Sequence, residues 1–150
     1  MIDIFEKLYL ELRPDRFSKL MPVLLADNGT EFSNPSAIEL DRQQNLRTHL
    51  FYCDPSAPYQ KGSAERNHEF IRCFLPKGSS LDSYTQGDIS IMMDHINSYC
   101  RESLGNKTPY EMMAFLYGKD LLDLLGCHRI APNEVTMNPS VFPDKGGTKE

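Results

Sequence analysis

Two carboxylates stand where they could bind metal ions or serve only as structural groups. Asp27 directly follows the apolar run 24–26 and precedes Asn28-Gly29, and Glu65 follows the proline-punctuated loop 52–62. Carboxylate oxygens are the ligands that Mg²⁺ and Mn²⁺ prefer. Each residue also has a structural interpretation, because an aspartate can cap an Asn-Gly turn and a glutamate favours the positive end of a helix dipole.

The elements around these carboxylates decide whether the two can meet. Residues 22–26 are predicted to form a short buried strand, and Asn28-Gly29 should supply the positive φ angles of a sharp turn after Asp27. Glu65 falls in the first turn of a helix that Ser63 can cap and that should run to about Leu75. A helix and a strand separate them along the chain, so only the fold can bring them together.

The first half of the chain has the pattern of an α/β protein. Apolar residues at helical spacing predict a helix over 2–12 that Pro14 ends or bends. Asn34-Pro35 can cap and begin a second helix, and residues 47–52 are rich in residues that favour strands. The order helix, strand, helix, strand, helix is typical of half of an α/β sheet.

The second half is predicted to be helical. Thr85 and Thr108 each begin a capping box, with helices expected to about residue 100 and to about residue 117. A short helix over 121–125 should end at Gly126. One helical stripe is predicted to face the core, formed by Ile89, Met92, Met93, Ile96, Tyr99 and Cys100. Residues 127–150 are predicted to be an irregular tail, disordered over 145–150, after one domain over 1–126.

Composition indicates a cytoplasmic protein with no membrane segment. The 150 residues include 40% hydrophobic and 25% charged residues, and no apolar run approaches membrane-spanning length. Four widely spaced cysteines are expected to be reduced and mostly buried. The formal net charge is −5, yet residues 42–77 contain six basic and three acidic residues. We therefore expect weak DNA affinity, concentrated around the two carboxylates.

Four ordered segments resemble the DDE transposases and retroviral integrases, most closely the bacterial insertion-sequence group thirty. The likeness covers about residues 20–111. Its segments are Asp27-Asn28-Gly29-Thr30-Glu31-Phe32, Tyr59-Gln60-Lys61-Gly62 with Glu65-Arg66-Asn67, Leu75-Pro76-Lys77-Gly78, and Ile96-Asn97-Ser98-Tyr99 with Leu104-Gly105-Asn106-Lys107-Thr108-Pro109-Tyr110-Glu111. A single Asp-Asn-Gly is common, whereas four landmarks in this order favour a functional interpretation.

The resemblance implies a fold, a metal site and a substrate. It implies the C-terminal portion of a ribonuclease-H-like fold, with an incomplete sheet followed by helices. Asp27 and Glu65 would be the second and third acids, binding Mg²⁺ or Mn²⁺ for two-metal phosphodiester cleavage and strand transfer. The DNA-contacting side chains would be Lys61, Arg66, Asn67, Arg72 and Lys77, although solvated surface charge is the alternative for each. His68 could orient substrate or water, and Glu69 is the reserve ligand. Glu31 is expected to support the turn.

The family's first catalytic aspartate has no counterpart on a predicted strand. Asp3 and Asp15 precede Asp27, and both lie in the opening helical region. We therefore expect that the chain begins after the family's first strands and is inactive alone. Two hypotheses follow: a fragment of a bacterial transposase core acting on transposon ends and target DNA, or a non-catalytic remnant that binds DNA or transposase. Partners would be DNA and possibly a second copy or a full-length transposase. An unrelated acidic α/β binding protein ranks last.

Overall fold

The computed structural model describes residues 2–27, 29–54 and 58–142, without the side chains of Pro58, Lys61, Ser63 and Glu65. Asn28, the Ser63 cap and the disorder predicted for 145–150 lie outside this part. The helices are α1 Ile2–Leu12, α2 Pro14–Leu20, α3 Pro35–Glu39, α4 Gly62–Phe74, α5 Gln86–Ser98, α6 Pro109–Tyr117 and α7 Lys119–Leu124, and the strands are β1 Val23–Ala26 and β2 His49–Tyr52. The predicted α/β class is confirmed.

The chain divides into two compact units, Met1–Glu65 and Arg66–Glu150. In the first unit α1 ends before Pro14, as predicted, and α2 follows it. Arg13 lies between them with a φ of 64°, and α2 begins at the proline. Phe17 packs edge-on against Tyr9, with ring centroids 5.2 Å apart, and is fully buried. The bend therefore folds α2 back onto the apolar face of α1.

The sheet is a parallel pair, in the register Val23↔His49 to Ala26↔Tyr52, with α3 in the connection. One face packs around the buried side chains of Ala26, Ile38 and Leu50. On the other face Val23, Leu25 and Phe51 are 53%, 48% and 56% exposed. The prediction of a buried strand was therefore wrong for this face, because alternate side chains of a strand point in opposite directions and the described helices cover one side.

Arg47 is buried instead of beginning β2 or adding surface charge near the candidate site. Its Nε donates to the Ile38 carbonyl at 2.8 Å, and its terminal nitrogens donate to the Ala37 carbonyl at 2.9 Å and the Glu6 carboxylate at 2.9 Å. The guanidinium also lies over the Tyr9 ring, 5.3 Å from its centroid. One side chain thus connects α1 to the carbonyl end of α3.

The second unit confirms both predicted capping boxes. Thr85 with Asp88 begins α5, and Thr108 with Glu111 begins α6. These helices start where predicted because each cap satisfies backbone N–H groups that have no partner inside the helix. Helix α7 and the glycine that follows it also lie close to their predicted positions.

The core stripe of α5 is shorter than predicted. Met92 and Ile96 are buried, with Ile89 and Met93 packed against the same cluster. Tyr99 and Cys100 are exposed. Their assignment to the core was wrong because α5 ends at Ser98 and Tyr99 has extended backbone angles, so the helical periodicity stops there.

Side chains of helix α5 accept hydrogen bonds from the segment that follows Gly126. Asp94 accepts a hydrogen bond from the His128 backbone N–H at 2.8 Å, Ser98 accepts one from Ile130 and His95 accepts one from Thr136. The domain boundary predicted at residue 126 stays a prediction.

All four cysteines are free thiols, but only Cys53 is buried, so the expectation of mostly buried thiols was wrong.

Candidate metal and DNA-binding site

Asp27 lies at the edge of the sheet where both strands end. The parallel register aligns Ala26 with Tyr52, so Asp27 and Cys53 are the first residues beyond the two strands. The Cys53 N–H donates to the Ala26 carbonyl at 2.8 Å and extends the pairing by one residue. In open α/β sheets ligands bind outside the carboxyl ends of the strands, which is where the exposed Asp27 lies.

The chain leaves this edge in a way that the Asn-Gly pair did not predict. Gly29 has a φ of −66°, so the positive angle expected there was wrong. Gly29 instead precedes a 3-10 turn, Thr30–Phe32, and its carbonyl accepts the Phe32 N–H at 3.0 Å. The Tyr52 hydroxyl donates to the Phe32 carbonyl and so fixes this turn to the end of β2. Glu31 lies within that turn, where a supporting role was predicted.

A reciprocal side-chain contact joins the end of β2 to the start of α4. The Gln60 amide nitrogen donates to the Asp54 carboxylate at 2.8 Å, and the Asp54 backbone N–H donates to the Gln60 amide oxygen, also at 2.8 Å. Gln60 belongs to the 3-10 turn Pro58–Lys61 that leads directly into α4. Sequence reasoning missed both residues, although Gln60 lies within one of its landmarks.

Glu65 occupies the first turn of α4. Its side chain and that of Lys61 lie outside the described part, so its meeting with Asp27 and the metal-ligand roles of both stay predictions. The described side chains contain no group of three or more His, Cys, Asp or Glu that could hold a metal ion. Two carboxylates are nevertheless a donor set of the kind that Mg²⁺ and Mn²⁺ accept.

The predicted DNA-contacting residues differ in their surroundings. Arg72 and Lys77 are exposed, in the last turn of α4 and in the loop that follows. Arg66 is exposed, and its Nη1 lies 3.6 Å from Oε2 of Glu69, the residue predicted as a reserve metal ligand. A surface ion pair of this kind contributes little to stability. Asn67 has a specific partner, because its amide oxygen accepts a hydrogen bond from Arg101 at 3.0 Å. Their DNA contacts stay predictions.

Arg101 is the side chain near these residues that sequence reasoning missed. Its guanidinium lies over the ring of Phe70, 4.6 Å from the centroid. Burial lowers the pKa of Arg101. The only signal in the sequence was its position between the two parts of the last landmark, where helical periodicity gave no information.

Comparison with known proteins identifies relatives of one kind. The chain is 30% identical over 95 residues to the transposase for insertion sequence element IS1086 of Cupriavidus metallidurans, covering 63% of this chain and 27% of that protein. It is 30% identical over 96 residues to the transposase InsI for element IS30A of Escherichia coli, covering 64% and 24%. The chain is similar to these insertion-sequence transposases over about 64% of its own length. The predicted resemblance to group thirty is thereby confirmed.

A third relative is also a transposase of an insertion sequence element. The transposase for element IS4351 of Bacteroides fragilis is 29% identical over 96 residues, which cover 64% of this chain and 28% of that protein. The chain therefore spans about a quarter of the length of these relatives. No protein-family model matches it, and no solved structure matches it. Within the described residues no helix is long and apolar enough to cross a membrane.

Proposed function

We propose that this chain is part of a transposase catalytic core and contributes to DNA transposition and integration. One observation supports this most directly: Asp27 follows β1 at the edge where the parallel strands end, and the Asp54–Gln60 contact joins the start of α4, with Glu65, to the end of β2. The kinship to transposases supports the same function. We further propose that the α/β unit is a portion of a ribonuclease-H-like fold in the cytoplasm of a bacterium.

Asp27 and Glu65 would hold Mg²⁺ or Mn²⁺ at this edge. Bound metal ions would activate the attacking oxygen and stabilise the leaving oxygen of a phosphodiester. The chain's own contribution would be to provide two carboxylates from different elements of the first unit. DNA would be bound by Lys61, Arg66, Asn67, Arg72 and Lys77. Since only two carboxylates are assigned, we expect metal binding but no strand transfer by this chain alone.

Calorimetric titration with Mn²⁺ tests the assignment. We expect binding in the wild-type chain that Asp27→Asn and Glu65→Gln each abolish, because each variant removes one hard oxygen ligand. Asp123→Asn is the matched control: this exposed carboxylate lies near the end of α7, where a negative charge opposes the helix dipole. Loss of binding in the control, or binding that survives both site variants, would contradict the assignment.

The second candidate is a non-catalytic module that binds DNA or a full-length transposase. Its support is that Asn67 accepts a hydrogen bond from Arg101 and that Arg66 and Arg101 line one cavity. Such a module would bind DNA equally well with and without metal, and Asp27→Asn would leave that binding unchanged. Magnesium-dependent nuclease activity abolished by Asp27→Asn would exclude it.

A further inference from the structure

Arg101 is a partly buried cation whose hydrogen bonding is incomplete. Among the described residues its guanidinium makes one hydrogen bond, to the Asn67 amide oxygen, and no carboxylate lies within ion-pair distance. Its Nε is buried and has no hydrogen-bond partner there. The ring of Phe70 supports the cation on one side. Removing a charge from water without pairing it is costly, so this arrangement needs an explanation.

Arg47 is a buried arginine with a structural role, and its hydrogen bonding and charge pairing can be compared with those of Arg101. Its guanidinium is fully buried, and it bonds to two backbone carbonyls and one carboxylate. Both arginines lie against aromatic rings, so stacking alone does not distinguish them. The difference is the counter-charge, which Arg47 receives from Glu6 and which the described residues do not supply to Arg101.

Arg101 lines a cavity of about 480 Å³. Arg66 contributes a second positive charge to its lining, and Glu102 contributes a negative one. Tyr99, 42% exposed, also lines the cavity, with its ring centroid 5.6 Å from that of Phe70. The described lining of the cavity therefore combines two positive charges and one negative charge with an accessible aromatic ring, in a volume typical of small-ligand sites.

We propose that this cavity binds one nucleotide of single-stranded DNA, with its phosphate on Arg101 and Arg66 and its base on Tyr99. Arginine matches phosphate oxygens through parallel N–H groups, and aromatic rings stack bases of any sequence. The phosphate supplies the counter-charge that Arg101 lacks among the described residues. The proposal rests on the proposed role in DNA transactions, but it uses neither Asp27 nor Glu65.

Fluorescence anisotropy with a labelled thymidine oligonucleotide, in EDTA and low salt, tests the proposal. We expect Arg101→Gln to weaken binding about tenfold, because a charge-assisted contact is lost. Lys119→Gln, which removes one exposed charge at the start of α7, should change binding by no more than about twofold. Equal, small losses in the two variants would overturn the proposal.

An abasic oligonucleotide of the same length separates stacking from phosphate binding. It should bind the wild-type chain more weakly, and Tyr99→Leu should weaken only the thymidine oligonucleotide. If both oligonucleotides bind alike, or if inorganic phosphate at millimolar concentration displaces them fully, the cavity is an anion site and the proposal fails. Because EDTA removes metal ions, the outcome of this assay does not depend on the metal-ligand roles proposed for Asp27 and Glu65, so failure of the metal assignment would remain distinguishable.

Loss of the Arg101 side chain could also unfold the second unit, which circular dichroism of the variant would reveal. The wild-type chain offers a measurement that needs no variant. On addition of the thymidine oligonucleotide, the NMR signal of the Arg101 Nε–H should shift more than that of the Arg129 Nε–H, since Arg129 is already paired with Glu111 at 2.7 Å. No preferential shift at Arg101 would refute the site.

Discussion

Replacing Arg47 by methionine should destabilise the first unit far more than replacing its neighbour Arg42. Both arginines contact the same carboxylate, since Glu6 pairs with the Arg47 guanidinium at 2.9 Å and with the Arg42 Nε at 2.8 Å. Their surroundings differ, because the Arg47 side chain is fully buried and that of Arg42 is 72% exposed. Arg42→Met is therefore a matched control that removes the same kind of charge from the same partner.

The expected loss of unfolding free energy follows from the groups that lose their partner when Arg47 is replaced. The carbonyls of Ile38 and Ala37, near the end of α3, would lose a buried and a partly buried hydrogen bond, at about 1–3 kcal/mol each. Glu6 would keep only the exposed Arg42. Removing one partner of a buried ion pair costs about 3–5 kcal/mol, so we expect Arg47→Met to lower the free energy of unfolding within this range. Arg42→Met should cost less than about 1 kcal/mol.

Urea unfolding followed by far-ultraviolet circular dichroism measures the difference. Because the chain has two units, hydrogen exchange of the β2 amides should accompany it, to report on the first unit specifically. Glu6→Gln in the Arg47→Met background should recover a small part of the loss, since the remaining carboxylate would no longer be a partly buried charge. If Arg47→Met and Arg42→Met destabilise the chain equally, the structural role assigned to Arg47 is wrong.

Two further predictions concern a carboxylate and a glycine. Hydrogen bonds from the Asn45 backbone and other donors hold the pKa of Asp41 below its usual value. The folded state therefore binds fewer protons than the unfolded state near this pKa. The free energy of unfolding should consequently fall as the pH drops through and below the ordinary aspartate range. Urea midpoints between about pH 7 and pH 3 should fall less steeply in Asp41→Asn, and an unchanged slope would refute this. Gly118 has a φ of 88° between α6 and α7, and a Cβ there would lie 2.5 Å from the Asp120 carboxylate, so Gly118→Ala should lower stability by about 1 kcal/mol. Gly87→Ala, inside α5 with ordinary contacts, should be neutral or slightly stabilising, and a thermal melt showing the reverse order would contradict both expectations.

Local sequence signals determined much of the fold. Asn34, Thr85 and Thr108 cap the helices that were predicted from them, because a capping side chain bonds to a backbone N–H only three residues away. Pro14 separates α1 from α2 for an equally local reason, its fixed φ and missing donor. The ordered landmarks also predicted the similarity to insertion-sequence transposases, because residue identities can be compared without knowledge of the fold.

The tertiary structure decided which polar groups are buried and what they contact. Arg47 is one of the six basic residues in 42–77 that were expected to favour DNA, yet its side chain is buried and pairs with Glu6, 41 residues away. Arg101 was marked in the sequence only by its position within the last landmark, yet its side chain donates a hydrogen bond to Asn67, 34 residues away. The open face of β1 was likewise decided by which helices pack on the sheet. Caps and turns depend on neighbours within one helical turn, which the sequence displays, whereas burial and counter-charge depend on distant residues that only the folded chain brings together.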